Sequence, residues 1–374
     1  MRVSKKILFF VTEDWYFISH RIKMAEYLVN KGFDVHVCCK DTGKASLIKK
    51  KNINWHNLNI NRKSVSLFQY FYEVFLYVKY SRKIKPDIIH FFSMRPILTG
   101  FLASLLIKSN FLATFTGMGF IFIKKGVKGF ILRKLILIFL KITLLIKKIT
   151  LIVQNEDDRK FILKHFIFFK EKVKIIRGSG IDIRKYKFTP EPKSKKITLG
   201  FAGRLLQDKG IDCLIQSFIQ AKKSVNNLNL LLAGPLDLNN PTGISEKKLN
   251  EFLRIRGIYY LGNLEDIVSL WKKSNIAILL SKREGLPLSL MEAAALGRAI
   301  IATDVPGCRE IALEGYNAIT VFPNDVKATT KAIIKLSKNK NLREKYAINS
   351  RKLVESDLKL EHICKQHYKL YSNY

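Results

Sequence analysis

The sequence predicts an α/β protein with two doubly wound domains, each built around a parallel sheet. The chain has 374 residues and a hydrophobic content of 48%, which exceeds what one ordinary core needs and suits two domains. Short, continuous apolar runs alternate with longer helix-period segments, as expected for strands that helices cover on both faces. A polar stretch with two prolines separates two such halves.

In the first half, six apolar runs predict strands, and the segments between them predict helices. One helix is expected over residues 17–31, with Gly32 as its C-terminal cap. Pro96 is suited to the first turn of another helix. The predicted strands of this half are residues 6–12, 33–40, 87–93, 111–116, 149–155 and 172–177.

The second half repeats the pattern and sets the predicted domain boundaries. Its predicted strands are residues 196–203, 228–234, 258–262, 276–281, 299–304 and 318–322. We expect a first domain over residues 1–186, a linker over 187–196 and a second domain over 197–357. The apolar spacing of the last residues, 358–374, predicts a helix that must dock elsewhere on the protein. Ligands of doubly wound sheets bind beyond the carboxyl ends of the strands.

The charge of the chain is strongly positive and unevenly distributed. The net charge is +36, and residues 1–190 hold 37 Lys and Arg against 12 Asp and Glu, while residues 191–374 hold 29 against 18. Such a field attracts polyanions: nucleic acid, an anionic membrane or phosphorylated substrates. A lysine-biased genome would explain the total charge equally well, but explains the asymmetry less easily. Nucleic acid is not expected as a partner, because the basic residues do not interleave with aromatic residues on one strand face.

Compartment and membrane topology are predicted from the cysteines and the apolar runs. The five cysteines have no metal-ligand spacing, and an odd number in a long chain suits a reducing compartment. The N-terminal apolar run is followed at once by Glu13 and Asp14, which predicts a first strand and not a signal peptide. Five basic residues interrupt the apolar segment 130–149, so no spanning helix is expected. We therefore predict a cytoplasmic protein.

Two glutamates separated by seven residues form the sharpest local pattern. Glu284 follows a predicted strand in a loop with Gly285 and Pro287, and Glu292 lies within the helix that follows. The first N–H groups of a helix have no partners within it, so they can bind a diphosphate. Glu284 could then accept hydrogen bonds from sugar hydroxyls, and Glu292 could accept them from vicinal ribose hydroxyls. A plain surface helix with acids near its start would show the same two glutamates.

A second pattern follows the first strand of the second domain. Gly203 permits a tight turn there, and Arg204 and Lys209 place two cations at the carboxyl end of the strand. A departing nucleoside diphosphate gains negative charge as the glycosidic bond breaks, and fixed cations stabilise that charge. A solvated basic turn is the alternative for any single lysine in so basic a chain.

Together these motifs resemble the nucleotide-binding half of the retaining family 4 glycosyltransferases, which have the GT-B fold. The resemblance covers about 120 residues from Gly200 to Ile319, and looser matches in the first half are similar to the branch that acts on undecaprenyl-diphosphate-linked saccharides in O-antigen, capsule and protein-glycan assembly. It implies two Rossmann-like domains facing across a cleft, with the C-terminal helix crossing back to the first domain. The matching motifs are residues 202–212, 233–235, 260–263, 281–293 and 304–310, and in the first half 87–90, 116–120 and 153–155.

The resemblance implies a role for each site residue. Glu284, Arg204 and Lys209 are assigned to catalysis. On the acceptor side we place Thr116, Gly117 and His20, although many family members have a histidine where this chain has Thr116. The residues assigned to donor binding are Gly203, Leu261, Gly262, Asn263, Gly285, Leu286, Leu288, Ser289 and Glu292.

The expected reaction is transfer of a sugar from a nucleotide donor, UDP-hexose or UDP-N-acetylhexosamine, to a lipid-linked saccharide. No Asp-x-Asp pair occurs in the sequence, so we expect no metal ion and no cofactor, with the two cations acting on the diphosphate. The resemblance implies retention by front-face attack, with the leaving phosphate accepting the acceptor's proton. A GT-B enzyme of another class, an epimerase or a phosphorylase, is the alternative, as is a basic nucleic-acid-binding protein.

A basic, apolar helix is predicted over residues 127–148. Lys134, Lys141 and Lys148 are spaced by seven and fall on one stripe, beside a strongly apolar face. The pattern is typical of a helix lying in an anionic membrane interface, with lysines reaching the headgroups. A core helix whose lysines face water is the alternative. We predict peripheral attachment to the inner face of the cell membrane through this helix.

Overall fold

The computed structural model describes residues 4–60, 66–117, 127–238 and 240–374. The chain forms two compact units: Met1–Ser179 together with Leu360–Tyr374, and Gly180–Lys359. Each unit contains one parallel sheet, so the predicted fold class is confirmed. Residues 118–120 of one motif and Lys124 and Lys125 lie outside the described residues.

The first unit has a seven-stranded parallel sheet with the order β3-β2-β1-β4-β5-β6-β7. Its strands are β1 (Lys6–Glu13), β2 (Asp34–Lys40), β3 (Asn54–Asn57), β4 (Ile88–Phe92), β5 (Asn110–Phe115), β6 (Ile149–Val153) and β7 (Val173–Ile175). Its helices are α1 (Asp14–His20), α2 (Ile22–Asn30), α3 (Ala45–Lys49), α4 (Leu67–Ile84), α5 (Met94–Ser104), α6 (Val127–Ile146) and α7 (Glu156–His165).

Side chains alternate between the two faces of this sheet and form two separate cores. Leu8 and Phe10 of β1 pack in one core with residues of α4, α5 and α6. Ile7 and Phe9 pack in the other, with residues of α1, α2 and the C-terminal helix. Coverage of both faces by helices explains why the strands are continuous apolar runs.

The predicted helix over residues 17–31 is two helices, α1 and α2. They meet at Arg21, whose backbone is not helical and whose side chain is buried. The first of them also begins earlier than predicted, because β1 extends to Glu13 and α1 begins at Asp14. The Asp14 carboxylate accepts hydrogen bonds from the backbone N–H groups of Thr42 (2.8 Å) and Lys44 (2.9 Å), which fixes the loop after β2.

The second unit has a six-stranded parallel sheet with the order β10-β9-β8-β11-β12-β13. Its strands are β8 (Ile197–Ala202), β9 (Leu228–Ala233), β10 (Ile258–Tyr260), β11 (Ile276–Leu279), β12 (Ala299–Thr303) and β13 (Ala318–Val321). Its helices are α8 (Ile211–Lys222), α9 (Glu246–Leu253), α10 (Val268–Lys273), α11 (Leu288–Ala295), α12 (Val326–Lys338) and α13 (Lys340–Asp357).

The boundary between the units lies at residues 179 and 180, not within the predicted linker 187–196. Ile181 and Tyr186 are buried in the core of the second unit, so residues 180–186 belong with it. The polar segment after them is also anchored there. Glu191 forms an ion pair with Arg343 (2.8 Å), which is a buried residue of α13. Buried charges require such pairing. Residues 187–196 are therefore an anchored segment of the second unit and not a free linker.

The C-terminal helix α14 (Leu360–Ser372) packs against α2 in the first unit. Its buried Tyr371 lies in the core with Phe9 and hydrogen-bonds through its hydroxyl to His90 of β4 (2.6 Å). The other ring nitrogen of His90 bonds to Thr114 of β5 (2.7 Å). Burial lowers the pKa of His90 well below its usual range, so the ring is neutral and this network carries no charge.

We predict that ending the chain at Lys359 selectively destabilises the first unit. The truncation exposes the apolar core residues that α14 covers and leaves His90 without Tyr371, which costs stability on both counts. Hydrogen exchange should show lost protection in β1, β4 and α2, while β8–β13 keep theirs. Lys369→Ala, at an exposed position of the same helix, is the control. Unchanged protection of β1 and β4 in the truncated chain would contradict this account.

Candidate functional site

The strand order of the second sheet reverses between β8 and β11, which are hydrogen-bonded neighbours. Loops that leave the carboxyl ends of two such strands run in opposite directions across the sheet, so a crevice forms between them. Arg204 and Lys209 follow β8, and Glu284 follows β11. The topology therefore brings two separately predicted motifs to one point.

Glycines hold three neighbouring loops together at this edge. Gly234, after β9, has a φ of +134°, and a Cβ on it would lie 2.0 Å from the carbonyl oxygen of Gly203. The N–H of Gly234 in turn donates to the carbonyl of Gly262 after β10 (2.8 Å). The loops thus contact each other through backbone atoms, which only residues without a Cβ permit. Leu261, Gly262 and Asn263 are set at this edge by the same contact.

Lys209 and Glu284 form an ion pair, Nζ to Oε1, across the switch point. Lys209 ends a short 3-10 turn (Gln207–Lys209), and Gly210 follows with a φ of +75°. A Cβ on Gly210 would lie 2.2 Å from the carbonyl oxygen of Leu280. The turn after β8 therefore lies directly against the end of β11, which is what lets the lysine reach the glutamate.

The hydroxyl of Ser281 also orients the Glu284 carboxylate, because it donates to the same Oε1 at 2.6 Å. Ser281 is buried at the end of β11, and the Glu284 side chain is largely buried. A carboxylate that a cation and a hydroxyl both contact is fixed in direction before any ligand arrives. Sequence reasoning included Ser281 in the motif but gave it no role.

Arg204 forms an ion pair with Asp237 (Nη1 to Oδ2, 2.8 Å) in the loop after β9. Both side chains are partly exposed, so the pair itself adds little stability. Its effect is to hold the guanidinium beside the turn after β8. Asp237 was missed in the sequence, because one aspartate in a loop gives no local signal.

Helix α11 begins at Leu288 after Pro287, and no side chain caps its N-terminus. Leu288 and Ser289 of its first turn are partly exposed, whereas Gly285 and Leu286 are buried. Gly307 packs against the loop before this helix, since a Cβ there would lie 2.4 Å from the carbonyl oxygen of Gly285. The start of the helix is thus fixed relative to Glu284.

Glu292 is buried, although the sequence suggested an accessible acid. Its Oε1 accepts a hydrogen bond from the hydroxyl of Tyr186 (2.9 Å), and both residues belong to the second unit. Burial raises the pKa of Glu292 to about 7, while the Tyr186 bond and the Lys185 charge oppose that rise. Tyr186 was also missed, because it precedes the second sheet by many residues.

The residues predicted for the acceptor side lie in the first unit. Thr116 and Gly117 follow β5 and are partly buried, and Gly117 has a φ of +134°. His20 ends α1, where its ring stacks on Tyr16 (4.6 Å between centroids) and bonds to Ser19 (2.6 Å). Thr116 and Gly117 are thus in the loop after β5, whereas His20 is the last residue of a helix.

The outward face of α6 is apolar. Ile131, Leu135, Ile138, Ile142 and Leu145 are exposed, whereas Ile136, Leu140 and Leu144 are buried against the sheet. The lysines at 134 and 141 lie on the exposed side. Among the described residues, no helix is both long enough and apolar enough to cross a membrane.

Within the described part of the chain, no three His, Cys, Asp or Glu residues come together as a possible metal site. The five cysteines are buried and unpaired. Metal independence stays a prediction from the sequence.

Two family models match this chain. One, described as glycosyl transferases group 1, matches residues 182–353, and the other, described as glycosyl transferase 4-like, matches residues 6–155. Each match falls within one of the two structural units.

Three curated relatives align with the chain over different lengths. The uncharacterized glycosyltransferase MJ1069 of Methanocaldococcus jannaschii is 30% identical over 57% of this chain and 55% of its own length, about half of that relative. The capsular polysaccharide biosynthesis glycosyltransferase CapM of Staphylococcus aureus is 25% identical over 93% of this chain and 92% of its own. The N,N'-diacetylbacillosaminyl-diphospho-undecaprenol alpha-1,3-N-acetylgalactosaminyltransferase of Campylobacter jejuni is 27% identical over 78% of each chain.

Solved structures share the fold. The sucrose-phosphate synthase of Thermosynechococcus elongatus superposes with a TM-score of 0.80 at 17% identity, over 99% of this chain and 98% of that one. The Anabaena protein Alr3699/HepE, solved in complex with UDP and glucose, superposes with a TM-score of 0.78 at 17% identity, over 99% of this chain and all of that one.

The two parallel sheets and these superpositions show the GT-B fold, and the family models and named relatives show that the chain is a glycosyltransferase. The chain belongs to the group 1, family-4-like glycosyltransferases. The family and the enzyme class predicted from the sequence are therefore confirmed.

We predict that Glu292→Gln stabilises the protein more at pH 8 than at pH 5. The folded pKa of about 7 lies above the usual carboxyl value, so the folded state holds a proton that the unfolded state releases, and stability falls as pH rises towards 7. A neutral glutamine avoids this loss, giving a gain of up to about 3 kcal/mol at pH 8. Urea unfolding at both pH values measures it.

The matched control for this substitution is Glu344→Gln, at an exposed position of α13. It should change the free energy of unfolding little, and equally at the two pH values. A Glu292→Gln effect that does not depend on pH would show that the carboxylate is ionised throughout this range.

Proposed function

We propose that this glycosyltransferase transfers a sugar from a UDP-sugar to a lipid-linked saccharide at the inner face of the cell membrane, in the assembly of a surface polysaccharide. The observation that carries this proposal is the Lys209–Glu284–Ser281 cluster at the switch point of the second sheet. A fixed carboxylate beside a cation suits a substrate that joins a hydroxylated sugar to a diphosphate.

The cations and the helix start would bind the diphosphate of the donor. Lys209 and Arg204 each form an ion pair with a carboxylate, which orients both cations at this edge of the sheet before a ligand binds. The N-terminus of α11 adds backbone N–H groups that favour an anion. In this arrangement Glu284 accepts hydrogen bonds from the donor sugar, and Glu292 accepts them from the ribose.

The proposed chemistry retains the configuration of the donor sugar. The bond from the anomeric carbon to the diphosphate oxygen breaks, and the acceptor hydroxyl forms a new bond on the same face. The proton of that hydroxyl passes to the leaving diphosphate. Lys209 and Arg204 stabilise the negative charge that develops on the diphosphate. These two cations thereby take the place of a metal ion.

The donor and acceptor are inferred from relatives. HepE was solved with UDP and glucose, and an Escherichia coli relative is named as a UDP-Gal:alpha-D-GlcNAc-diphosphoundecaprenol alpha-1,3-galactosyltransferase. The Campylobacter relative also acts on a diphospho-undecaprenol saccharide. These names support a UDP-hexose or UDP-N-acetylhexosamine as donor and an undecaprenyl-diphosphate saccharide as acceptor.

A lipid-linked acceptor requires the enzyme to reach the membrane surface. The exposed apolar face of α6, with Lys134 and Lys141 beside it, is suited to an anionic interface. Each lysine near such a surface contributes about 1 kcal/mol. The site of the second unit would then act on a substrate whose lipid tail stays in the bilayer.

Replacing Glu284 by Ala should lower kcat by about a hundredfold or more, because the lost carboxylate contacts the reacting sugar and leaves Lys209 unpaired. UDP release from a panel of UDP-sugars, with a diphosphate-linked saccharide as acceptor and EDTA present, measures the effect. Glu344→Ala, at an exposed position of the same unit, is the control and should keep full activity. Near-normal turnover of Glu284→Ala would rule out the proposed site.

A further inference from the structure

An aromatic stripe lies on the outward side of α4. Phe68, Phe71, Tyr72 and Phe75 are 88, 68, 45 and 59% exposed, and their spacing of three, four and seven residues places them on one face of a helix. Solvent-exposed aromatic clusters of this size mark binding surfaces in soluble proteins.

A buried ion pair sets the direction of this stripe. Glu73 of α4 is fully buried and pairs with Arg95 of α5, at 2.5 Å between Oε1 and Nη2 and 3.2 Å between Oε2 and Nε. A bidentate pair of this kind permits one rotation of α4 about its axis. The aromatic residues therefore face outward because the opposite side of α4 is fixed against α5.

The stripe belongs to a larger surface. Helices α4, α5 and α6 pack in sequence on the same face of the first sheet, so their outer sides form one layer that faces the same way. Leu105 and Leu106, at the end of α5, and the exposed face of α6 add to it. We call this surface the outer helix layer.

The charge around the outer helix layer is of one sign. Residues 88–155 contain ten Lys and Arg and no Asp or Glu, and the acid of α4 is neutralised by Arg95. Two copies of the protein would therefore bring like charges together if they joined through this surface. An anionic lipid bilayer instead offers both a negative surface and an apolar interior.

We propose that the outer helix layer inserts into an anionic bilayer, with the aromatic stripe of α4 as its apolar anchor and the lysines of α6 on the headgroups. This inference deepens the proposed membrane location, which rested on α6 alone. Aromatic rings prefer the boundary between headgroups and acyl chains. Attachment by two helices would also fix the orientation of the unit on the membrane.

The test is binding of the full chain to vesicles of phosphatidylglycerol and phosphatidylcholine. Phe71→Ser with Phe75→Ser should weaken binding by about tenfold or more at both low and high salt, since burial of each phenyl ring is lost. Lys134→Gln with Lys141→Gln should weaken it at low salt only. Phe322→Ser, which removes an exposed ring of the second unit, should have no effect.

Two results would overturn the proposal: wild-type vesicle binding by the Phe71/Phe75 variant, or a wild-type dimer in light scattering that this variant abolishes. Thermal unfolding confirms that each variant is folded. Hydrolysis of a UDP-sugar in the absence of lipid should be unchanged in all of them. That readout separates failure of the surface from failure of the proposed chemistry.

A second, independent observation concerns Tyr186. Its hydroxyl donates to Glu292, and its backbone carbonyl accepts from Arg351 Nη1 (2.6 Å). The same Nη1 donates to the carbonyl of Ala295 at the end of α11 (2.8 Å). Tyr186 is thus fixed to α11 at both its backbone and its side chain.

The surroundings of Glu292 explain what this bond does. Lys185 and Asp266 are the charged groups that act on it, with opposite effects. The indole of the buried Trp271 lies nearby and also favours the charged form, although its N–H has no hydrogen bond of standard geometry. Tyr186 therefore supplies the one hydrogen bond from a side chain that the described residues make to this carboxylate.

We propose that Tyr186 is a positioning residue for the donor, whose hydroxyl hydrogen-bonds to Glu292 and holds its carboxylate towards the vicinal hydroxyls of the ribose. The inference rests on the proposed role of Glu292. An ionised carboxylate accepts two hydrogen bonds from a vicinal diol, which a protonated one cannot do equally well. Donor affinity should then follow the ionisation of Glu292.

Tyr186→Phe removes a bond that favours the charged form, so it should raise the pKa of Glu292 and shift UDP binding to higher pH. UDP affinity measured by calorimetry, with GDP in parallel, should fall about tenfold per unit of pKa shift at pH 6 and recover at pH 9. Turnover at saturating donor should be unchanged. Tyr346→Phe, in the core of the same unit, should leave the pH profile as in the wild type.

The proposal fails if Tyr186→Phe has the wild-type pH profile, or if it loses affinity equally at every pH. The second result would mean that Tyr186 contacts the nucleotide or supports the fold. Glu292→Gln tests the underlying assignment, the contact between Glu292 and the ribose. If that variant binds UDP and GDP as the wild type does, or if the wild type binds neither nucleotide, the ribose contact itself is wrong.

Discussion

The contact between the turn after β8 and the end of β11 determines the site of the second unit. Gly210 lies so close to the carbonyl of Leu280 that no side chain fits between them. This approach lets Lys209 reach Glu284, and Ser281 at the same strand end then completes the orientation of the carboxylate. The cluster depends on two parallel strands that are neighbours in space but far apart in the chain, since Ile276 of β11 pairs with Leu199 of β8, 77 positions earlier.

Three acids of this very basic chain, each buried or largely buried, have partners on other elements. Glu73 joins α4 to α5, and Glu191 joins the segment 187–196 to α13. Glu292 joins α11 to Tyr186, which precedes β8. An unpaired buried charge costs several kcal/mol, so each of these acids constrains where its partner lies. Glu292 is the exception in one respect, because burial raises its pKa to about 7 and the hydrogen bond from its neutral partner Tyr186 offsets only part of that rise.

The two units divide the proposed work between them. The second unit holds the cations, the helix start and the glutamates that suit a nucleotide-sugar. The first unit holds most of the positive charge and the outer helix layer. Its exposed apolar and basic side chains suit contact with a membrane that carries a lipid-linked substrate. Such a division of roles between the two units agrees with the family to which the chain belongs.

The sequence by itself determined the two-domain α/β class, nearly all strand positions and the motifs of the second unit, because apolar periodicity and glycine placement are local signals. It did not determine Tyr186 or Asp237, which contact site residues from distant positions in the chain. It also missed the break at Arg21 and the anchoring of residues 187–196, where buried partners override local polarity. The aromatic stripe of α4 was equally invisible, since its spacing also suits a core helix. Only tertiary packing decides which side of an apolar helix faces the sheet, and here the Glu73–Arg95 pair decides it.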